Sequence, residues 1–139
     1  MSERGDLPGP CSLCGATDGV REPDGWECAI CGWRVGDAPD ADLPRPVVEV
    51  VYYLRYRERI KIGTSRNPRQ RLAAIWHEEL LAFERGGRPL EQARHREFAH
   101  LREGGEWFTA APELLAHIAG FRDRDPWHSY ARWIADSLR

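Results

Sequence analysis

The sequence contains no apolar run of the roughly 18 residues that a membrane-spanning helix requires. Its first ten residues, MSERGDLPGP, also lack the apolar stretch of a secretion signal. We therefore expect a cytoplasmic protein with no membrane partner. Hydrophobic residues still make up 42% of the 139 residues, which is enough for one ordinary domain with a core and a small accessory unit.

Cysteine is scarce, and its four copies form two Cys-x-x-Cys pairs, each followed directly by glycine. Such loops turn tightly and direct their thiolates at one centre, so two loops complete a tetrahedral zinc site. The alternative is two disulfides, which the absence of a secretion signal disfavours. Four thiolates close the coordination sphere, so we expect a structural zinc that holds a ribbon too small to fold unaided. The predicted ligands are Cys11, Cys14, Cys28 and Cys31.

Lysine is nearly missing from the segment that carries most of the positive charge. Residues 50–102 hold 12 basic and 6 acidic residues, and 11 of the 12 are arginine, whereas residues 1–49 hold 4 basic and 10 acidic residues. Arginine is the better clamp for phosphate, and a local basic excess suits a polyanion such as nucleic acid. The alternative is a solvated, arginine-rich surface. The acidic N-terminal third is less suited to DNA, and it could contact protein or fold against the second domain.

Composition divides the chain into five parts. Residues 1–10 are polar with two Pro and two Gly, and they are expected to be disordered. The zinc ribbon follows over residues 11–35, and residues 36–46 are a stiff, acidic, proline-rich linker. The main domain is predicted over residues 47–120, and a helical extension over residues 121–139.

The main domain is predicted to be α+β, with a small three-stranded mixed sheet flanked by helices. Val50 to Leu54 is rich in β-branched and aromatic residues, and Ile60 to Gly63 alternates apolar and charged residues, so the two form a hairpin. Asn67 and Pro68 are a preferred N-cap and a preferred first residue of a helix, which runs to about Ile75. The further predictions are a strand at 80–84 and helices at 89–102, 111–119 and 127–138.

The stretch VVYYLRYRERIKIGTSRNPRQR resembles the GIY-YIG nuclease superfamily. Val50-Val51-Tyr52 stands at the first signature triplet with Val in place of Gly, and Lys61-Ile62-Gly63 stands at the second with Lys in place of Tyr. Asn67 and Arg71 match the Asn or Asp and the Arg that follow. The resemblance covers residues 47–118 and is greatest to the branch found in phages and in meiotically up-regulated gene products. Its downstream matches are Leu90-Glu91, His95, Phe98, His100-Leu101 and Gly105-Glu106-Trp107-Phe108.

The resemblance implies a metal-dependent endonuclease that hydrolyses DNA phosphodiester bonds. Tyr52 would position or deprotonate a water, with Lys61 on the paired strand as a cationic neighbour. Arg71 would offer a planar fork to phosphate oxygens. Glu91 would hold Mg²⁺ or Mn²⁺ together with waters, and His95, one helical turn later, would support the water, the metal or a phosphate.

Each of these residues has a plainer interpretation. Tyr52 could be a core aromatic, Arg71 and Glu91 could be solvated helix residues, and Glu106 is a rival carboxylate for the metal. Five further arginines are placed for phosphate contacts rather than chemistry, namely Arg55, Arg57, Arg59, Arg66 and Arg69. Two other functions stay open: a nucleic-acid-binding module that has lost catalysis, and an interaction protein whose ribbon and C-terminal helix bind a protein partner.

Overall fold

The computed structural model describes residues 3–37, 44 and 46–139, so residues 38–43 and 45 of the predicted linker lie outside the described part. The described residues form eight strands and four helices. In chain order these are β1 (Glu3–Asp6), β2 (Asp18–Glu22), β3 (Gly25–Cys28), β4 (Val50–Tyr56), β5 (Arg59–Ser65), α1 (Pro68–Ala73), β6 (Glu79–Arg85), α2 (Arg88–Glu97), β7 (Arg102–Gly104), β8 (Trp107–Thr109), α3 (Pro112–Ala119) and α4 (Pro126–Ser137). None of the described helices has the length and apolar composition needed to cross a membrane.

The chain divides into two compact units. Unit 1 combines residues 1–46 with residues 127–139, and unit 2 spans residues 47–126. The C-terminal helix therefore belongs with the ribbon, whereas the sequence led us to treat it as a separate extension of the main domain.

Unit 1 contains a three-stranded antiparallel sheet in the order β1-β2-β3. The expectation of disorder over residues 1–10 is wrong for β1, because Glu3–Asp6 pairs with β2 and places Asp6 opposite Asp18. Leu7 follows directly and is buried against the cysteine cluster. One buried leucine and four backbone pairs thus order a stretch whose polar composition suggests a loose tail.

Unit 2 is built on a five-stranded antiparallel sheet in the order β6-β4-β5-β8-β7. The α+β class agrees with the prediction, but the sheet has five strands rather than three and is antiparallel rather than mixed. The additional strands, β7 and β8, are three residues each and join at a turn formed by Gly105 and Glu106. The predicted helix over residues 89–102 ends earlier, because α2 stops at Glu97 and a short 3-10 turn leads into β7.

The central hairpin forms where its composition predicts it. In β4, five consecutive residues from Val50 are buried, and because successive side chains of a strand point to opposite faces, both faces of this part of β4 are covered. Its two edges pair with β5 and β6. The helix after the hairpin also begins as predicted: the Asn67 side chain accepts a hydrogen bond from the backbone N–H of Gln70 at 3.4 Å, and Pro68 follows it. Helix α1 is thereby fixed directly after β5.

One face of the sheet carries the main core of unit 2. Side chains that alternate along β4 and β5 point to this face and pack against α2 and α3. The fully or almost fully buried members include Val51, Tyr53, Ile60, Ile62, Ala82, Phe108, Leu114 and Ile118. Tyr53 is therefore a core residue, as its position next to Tyr52 in the strand predicts.

A buried polar network anchors α2 to this core. The Tyr53 hydroxyl donates to Glu84 Oε1 at 2.9 Å, and Arg94 donates to both carboxylate oxygens of Glu84. Burial alone would raise the pKa of Glu84, but the hydrogen bonds from Arg94 and Tyr53 outweigh it and hold that pKa below its usual value. The ionised carboxylate is therefore the form that the fold favours.

Glu84→Gln is expected to lower the free energy of unfolding at neutral pH by about 1.5–3 kcal/mol, the range for hydrogen bonds to charged groups. Because the folded-state pKa of Glu84 is lowered, its contribution is present above the ordinary carboxyl pKa and is lost as the pH falls through the folded value. The difference between the two proteins in urea unfolding should therefore shrink on acidification. Glu79→Gln is the control, since Glu79 pairs with Arg122 on the surface and its loss should change stability little. Equal effects of both changes would refute the anchoring role of Glu84.

Candidate functional site

The four cysteines come together in unit 1. Their sulfur atoms all lie within 4.8 Å of one another, and the Sγ atoms of Cys11 and Cys31 are 3.7 Å apart. The Sγ atoms of Cys14 and Cys28 are 3.6 Å apart. A disulfide requires about 2.0 Å, whereas sulfurs around a tetrahedral zinc at about 2.3 Å are separated by about 3.8 Å. The cluster is therefore compatible with a structural zinc bound by four thiolates.

The two cysteine loops have the same backbone hydrogen bonds. Gly15 donates to the carbonyl of Cys11, and Gly32 donates to the carbonyl of Cys28, both at 2.9 Å. Both glycines have φ of +79°, a left-handed conformation in which other residues are strained. The glycine after each Cys-x-x-Cys pair is thus required by the turn that directs the two sulfurs inward.

The donor set also favours a cation on chemical grounds. Burial raises the pKa of the Cys14 thiol to about 11, and it raises the pKa of Cys31 as well. Four thiolates this close need a divalent cation to hold them deprotonated, so zinc binding would release protons and weaken as the pH falls.

Helix α4 packs on this cluster. Ala135 is fully buried, and Ala131 and Leu138 contact the same group of residues. Arg139 then donates to the carbonyl of Gly32 at 2.6 Å. The residues of α4 that contact the cluster are therefore two alanines and one leucine.

A second cluster surrounds the pair Tyr52 and Gly63, which lie directly opposite each other in β4 and β5. A Cβ atom added to Gly63 would lie 2.4 Å from both Cζ and Oη of Tyr52, so the tyrosine ring occupies the space that the glycine leaves open. The ring is almost completely buried, at 1% exposure. Any larger residue at Gly63 would displace it.

Arg71 is the cation next to the Tyr52 hydroxyl. Burial raises the pKa of Tyr52, and a hydrogen bond with Arg71 only partly opposes this. The same contact raises the pKa of Arg71, which lies exposed on α1. Lys61, the cationic neighbour that the sequence suggested, instead forms an ion pair with Glu106 at 3.5 Å. The phenol therefore stays protonated at neutral pH, and its O–H is a hydrogen-bond donor.

Glu91 is a buried carboxylate on the first turn of α2, with 9% exposure. Within the described parts of the chain, its side chain forms no hydrogen bond, and His95 is its neighbour on the helix, with 3.8 Å between Nε2 and Oε1. Burial and the nearby Glu106 raise the pKa of Glu91. A desolvated carboxylate without hydrogen-bond donors is a favourable metal ligand, and Glu106, already paired with Lys61, is the weaker candidate.

His95 fastens α2 to the sheet beside Glu91. Its Nε2 lies 2.8 Å from the carbonyl oxygen of Ile62, and because a carbonyl can only accept, Nε2 must carry the proton. The ring also packs against Phe108, with 5.0 Å between centroids. His95 thus positions Glu91 rather than offering a free Nε2 to a ligand.

The five predicted phosphate-contacting arginines fall into two groups. Arg55, Arg57 and Arg59 lie at the β4–β5 turn, while Arg66 and Arg69 follow the other end of β5. The seven residues of β5 separate the groups by about 20 Å, with the Tyr52–Gly63 pair between them. Arg66 is exposed and pairs with Glu49 at 3.7 Å.

Comparison of the chain with protein-family models, with curated proteins and with solved structures found no significant match.

We expect the purified protein to contain one zinc per chain, measured by elemental analysis of protein made without chelator. Cys28→Ser should abolish zinc binding and unfold the ribbon, because three thiolates and a hydroxyl bind zinc poorly and the ribbon lacks a sufficient core. Since α4 packs on the cluster, its helical signal should be lost at the same time. Ser12→Ala, between two of the cysteines, is the control and should keep the metal. A zinc-free protein with an intact ribbon would overturn the site.

Glu91→Gln is expected to raise the melting temperature at neutral pH in magnesium-free buffer. The folded-state pKa of Glu91 lies above its unfolded value, so wild-type stability falls as the pH rises from the ordinary carboxyl pKa through the folded one. Glutamine does not titrate, so the melting temperature of the variant should exceed that of wild type only slightly at pH 3. The difference should reach its full size once the pH is above the folded-state pKa of Glu91. Glu58→Gln, at a side chain that is 89% exposed, should show no such pH dependence. A melting temperature of Glu91→Gln below that of wild type at every pH would contradict the assignment.

Proposed function

We propose that unit 2 is a metal-dependent endonuclease of the GIY-YIG type that hydrolyses DNA phosphodiester bonds. The observation that supports it most is that Tyr52, Arg71 and Glu91, predicted from the sequence as one catalytic set, interact electrostatically. Arg71 and Glu91 both shift the pKa of Tyr52, although the three residues come from β4, α1 and α2. Their convergence from three separate elements is unexpected for solvated surface residues.

Tyr52 would act as a hydrogen-bond donor. Its raised pKa argues against a phenolate at neutral pH, so it would orient the attacking water or a phosphate oxygen rather than remove a proton. Arg71, exposed at the rim, would contact the same phosphate and stabilise the charge that develops on its oxygens.

Glu91 fits a Mg²⁺ or Mn²⁺ ion, since a single carboxylate with waters is a common way to bind magnesium. The ion, when bound, would supply charge stabilisation at phosphorus. His95 would keep Glu91 in place through its hydrogen bond to Ile62. Lys61 would neutralise Glu106 as an ion pair and leave Glu91 as the carboxylate for the metal.

The arginines at both ends of β5 support a DNA substrate. Arg57 and Arg59 precede the Tyr52–Gly63 pair along the sheet and Arg66 and Arg69 follow it, so a strand of DNA laid across the site would meet cations on either side. Arg55 pairs with Ile60 and therefore lies on the other face of the sheet. We place the protein in a reducing compartment such as the cytoplasm, because four thiols are gathered without disulfide geometry.

A DNA-binding module without catalysis is the second candidate. Tyr52 is 1% exposed, and burial is the largest influence on its pKa, as in an ordinary core aromatic. In that case the arginines would bind DNA, while Tyr52 and Gly63 would serve packing alone.

Cleavage of branched, nicked and plain duplex DNA with Mg²⁺ or Mn²⁺ separates the two candidates. Tyr52→Phe removes one hydroxyl and keeps the ring, and it should lower cleavage by about 100-fold or more while leaving the fold intact. Arg71→Ala should lower cleavage by a similar factor and weaken binding slightly. Glu91→Gln should remove metal-dependent cleavage while DNA affinity is kept or raised, since a negative charge is lost.

Groups that act together are strongly non-additive, so Tyr52→Phe combined with Glu91→Gln should cost little more than either change alone. Tyr130→Phe and Arg122→Gln are the matched controls, because they remove a hydroxyl and a guanidinium from residues outside the set Tyr52, Arg71 and Glu91. If the wild-type protein binds DNA but never cuts it, and the variants bind equally well, the protein is a DNA-binding module and not a nuclease.

A further inference from the structure

Cations and aromatic rings alternate on the sheet next to the Tyr52–Gly63 pair. We call this set, Tyr56, Arg57, Arg59, Lys61 and Trp107, the aromatic–cation column. Tyr56 lies opposite Arg59 in the β4–β5 pairing, and Lys61 lies opposite Trp107 in the β5–β8 pairing. Paired residues of antiparallel strands share a face, so four members of the column stand on the same side of the sheet.

The side chains of the column contact one another. The guanidinium of Arg59 lies 4.8 Å from the centroid of the Trp107 ring and 6.0 Å from that of Tyr56. Lys61 Nζ is 5.5 Å from the Trp107 centroid, and the Arg57 guanidinium is 5.4 Å from the Tyr56 centroid. Both rings are only partly buried, so each still offers surface to a ligand.

Two of these cations are held by rings rather than by carboxylates. In residues 3–37, 44 and 46–139, neither Arg57 nor Arg59 forms an ion pair, whereas Lys61 pairs with Glu106 at 3.5 Å. An exposed surface of this kind complements a ligand with both negative charge and flat faces. Arg59, Lys61 and Gly63 alternate along β5, so the column leads directly to Tyr52.

We propose that the aromatic–cation column binds an unpaired stretch of DNA, with bases stacked on Tyr56 and Trp107 and phosphates contacted by Arg57 and Arg59. Duplex DNA presents its backbone and base edges but keeps its base faces stacked internally, so it cannot use the rings. The substrate of the proposed nuclease is then DNA with a single-stranded segment, bound next to the site of cleavage. The choice of DNA and the cleavage step rest on the proposed function, whereas stacking by the column does not.

Fluorescence anisotropy with a labelled oligothymidine of about 12 nucleotides, within the site sizes common for single strands, tests the column directly. Wild-type protein should bind the single strand at least about 10-fold more tightly than a duplex of the same length. Tyr56→Leu and Trp107→Leu should each weaken single-strand binding by about 5-fold to 100-fold, the effect of losing one base stack, and should leave duplex binding nearly unchanged.

Two control variants test whether the effects are specific to the column. Trp76→Leu removes an indole that is 79% exposed and has no cation over its ring among the described residues, so binding should not change. Arg59→Gln should fold even if the aromatic variants do not, and it should lower the slope of log affinity against log salt by about 0.7 on single strands. Arg122→Gln, the charge-matched control, should leave that slope unaltered.

Equal affinity of wild type for the single strand and the duplex would overturn the proposal, as would column variants that bind like wild type. Competition by a polyglutamate peptide as strong as that by unlabelled oligothymidine would also overturn it, because an acidic protein partner would then suit the column equally well. Cleavage reports separately on the proposed function. If wild type cuts plain duplex, Tyr52→Phe cuts it poorly and wild type does not bind the single strand, the proposed nuclease is supported and the proposed role of the column is wrong. If wild type binds the single strand through the column but cuts no DNA, only the proposed nuclease is wrong.

Discussion

The pairing of Tyr52 with Gly63 is the constraint on which the arrangement of unit 2 depends. It fixes the register of β4 and β5 and thereby decides which side chains enter the core and which line the opposite face. A slip of one residue would bring Tyr53 to the face that Tyr52 now occupies and would break its hydrogen bond to Glu84. The glycine also provides the space for the tyrosine ring. The same residue pair therefore determines both the strand register and the position of Tyr52 in the candidate site.

Much of unit 2 could be predicted because the signals are local. The β-branched and aromatic run of β4 and the Asn67–Pro68 start of α1 each specify their element within a few residues. Strands β7 and β8 could not be predicted, because three residues on either side of Gly105 and Glu106 carry too little pattern to distinguish a hairpin from a helix end. These strands form only because β5 presents an edge to β8, which is a long-range effect.

The proximity of Tyr52, Gly63 and Arg71 was predictable from the sequence, but the electrostatics around them were not. Hairpin-then-helix geometry brings Arg71 towards Tyr52, but which cation reaches the hydroxyl depends on Glu106, which pairs with Lys61. The direction of the Tyr52 pKa shift follows mainly from burial, which depends on tertiary packing that a local pattern does not contain. The partner of α4 was missed for a related reason, since periodicity identifies an apolar face but not the surface that it covers.

The assignment of α4 to the ribbon makes unit 1 discontinuous in sequence, with all of unit 2 inserted between its two parts. Domains generally fold as they leave the ribosome, from the N-terminus onward. Unit 2, which is contiguous, can therefore complete its fold before α4 has been synthesised. The cysteine cluster, although made first, lacks the cover of Ala135 and the hydrogen bonds of Arg139 until α4 has been synthesised. Early capture of the metal ion would protect the nascent thiols during that interval.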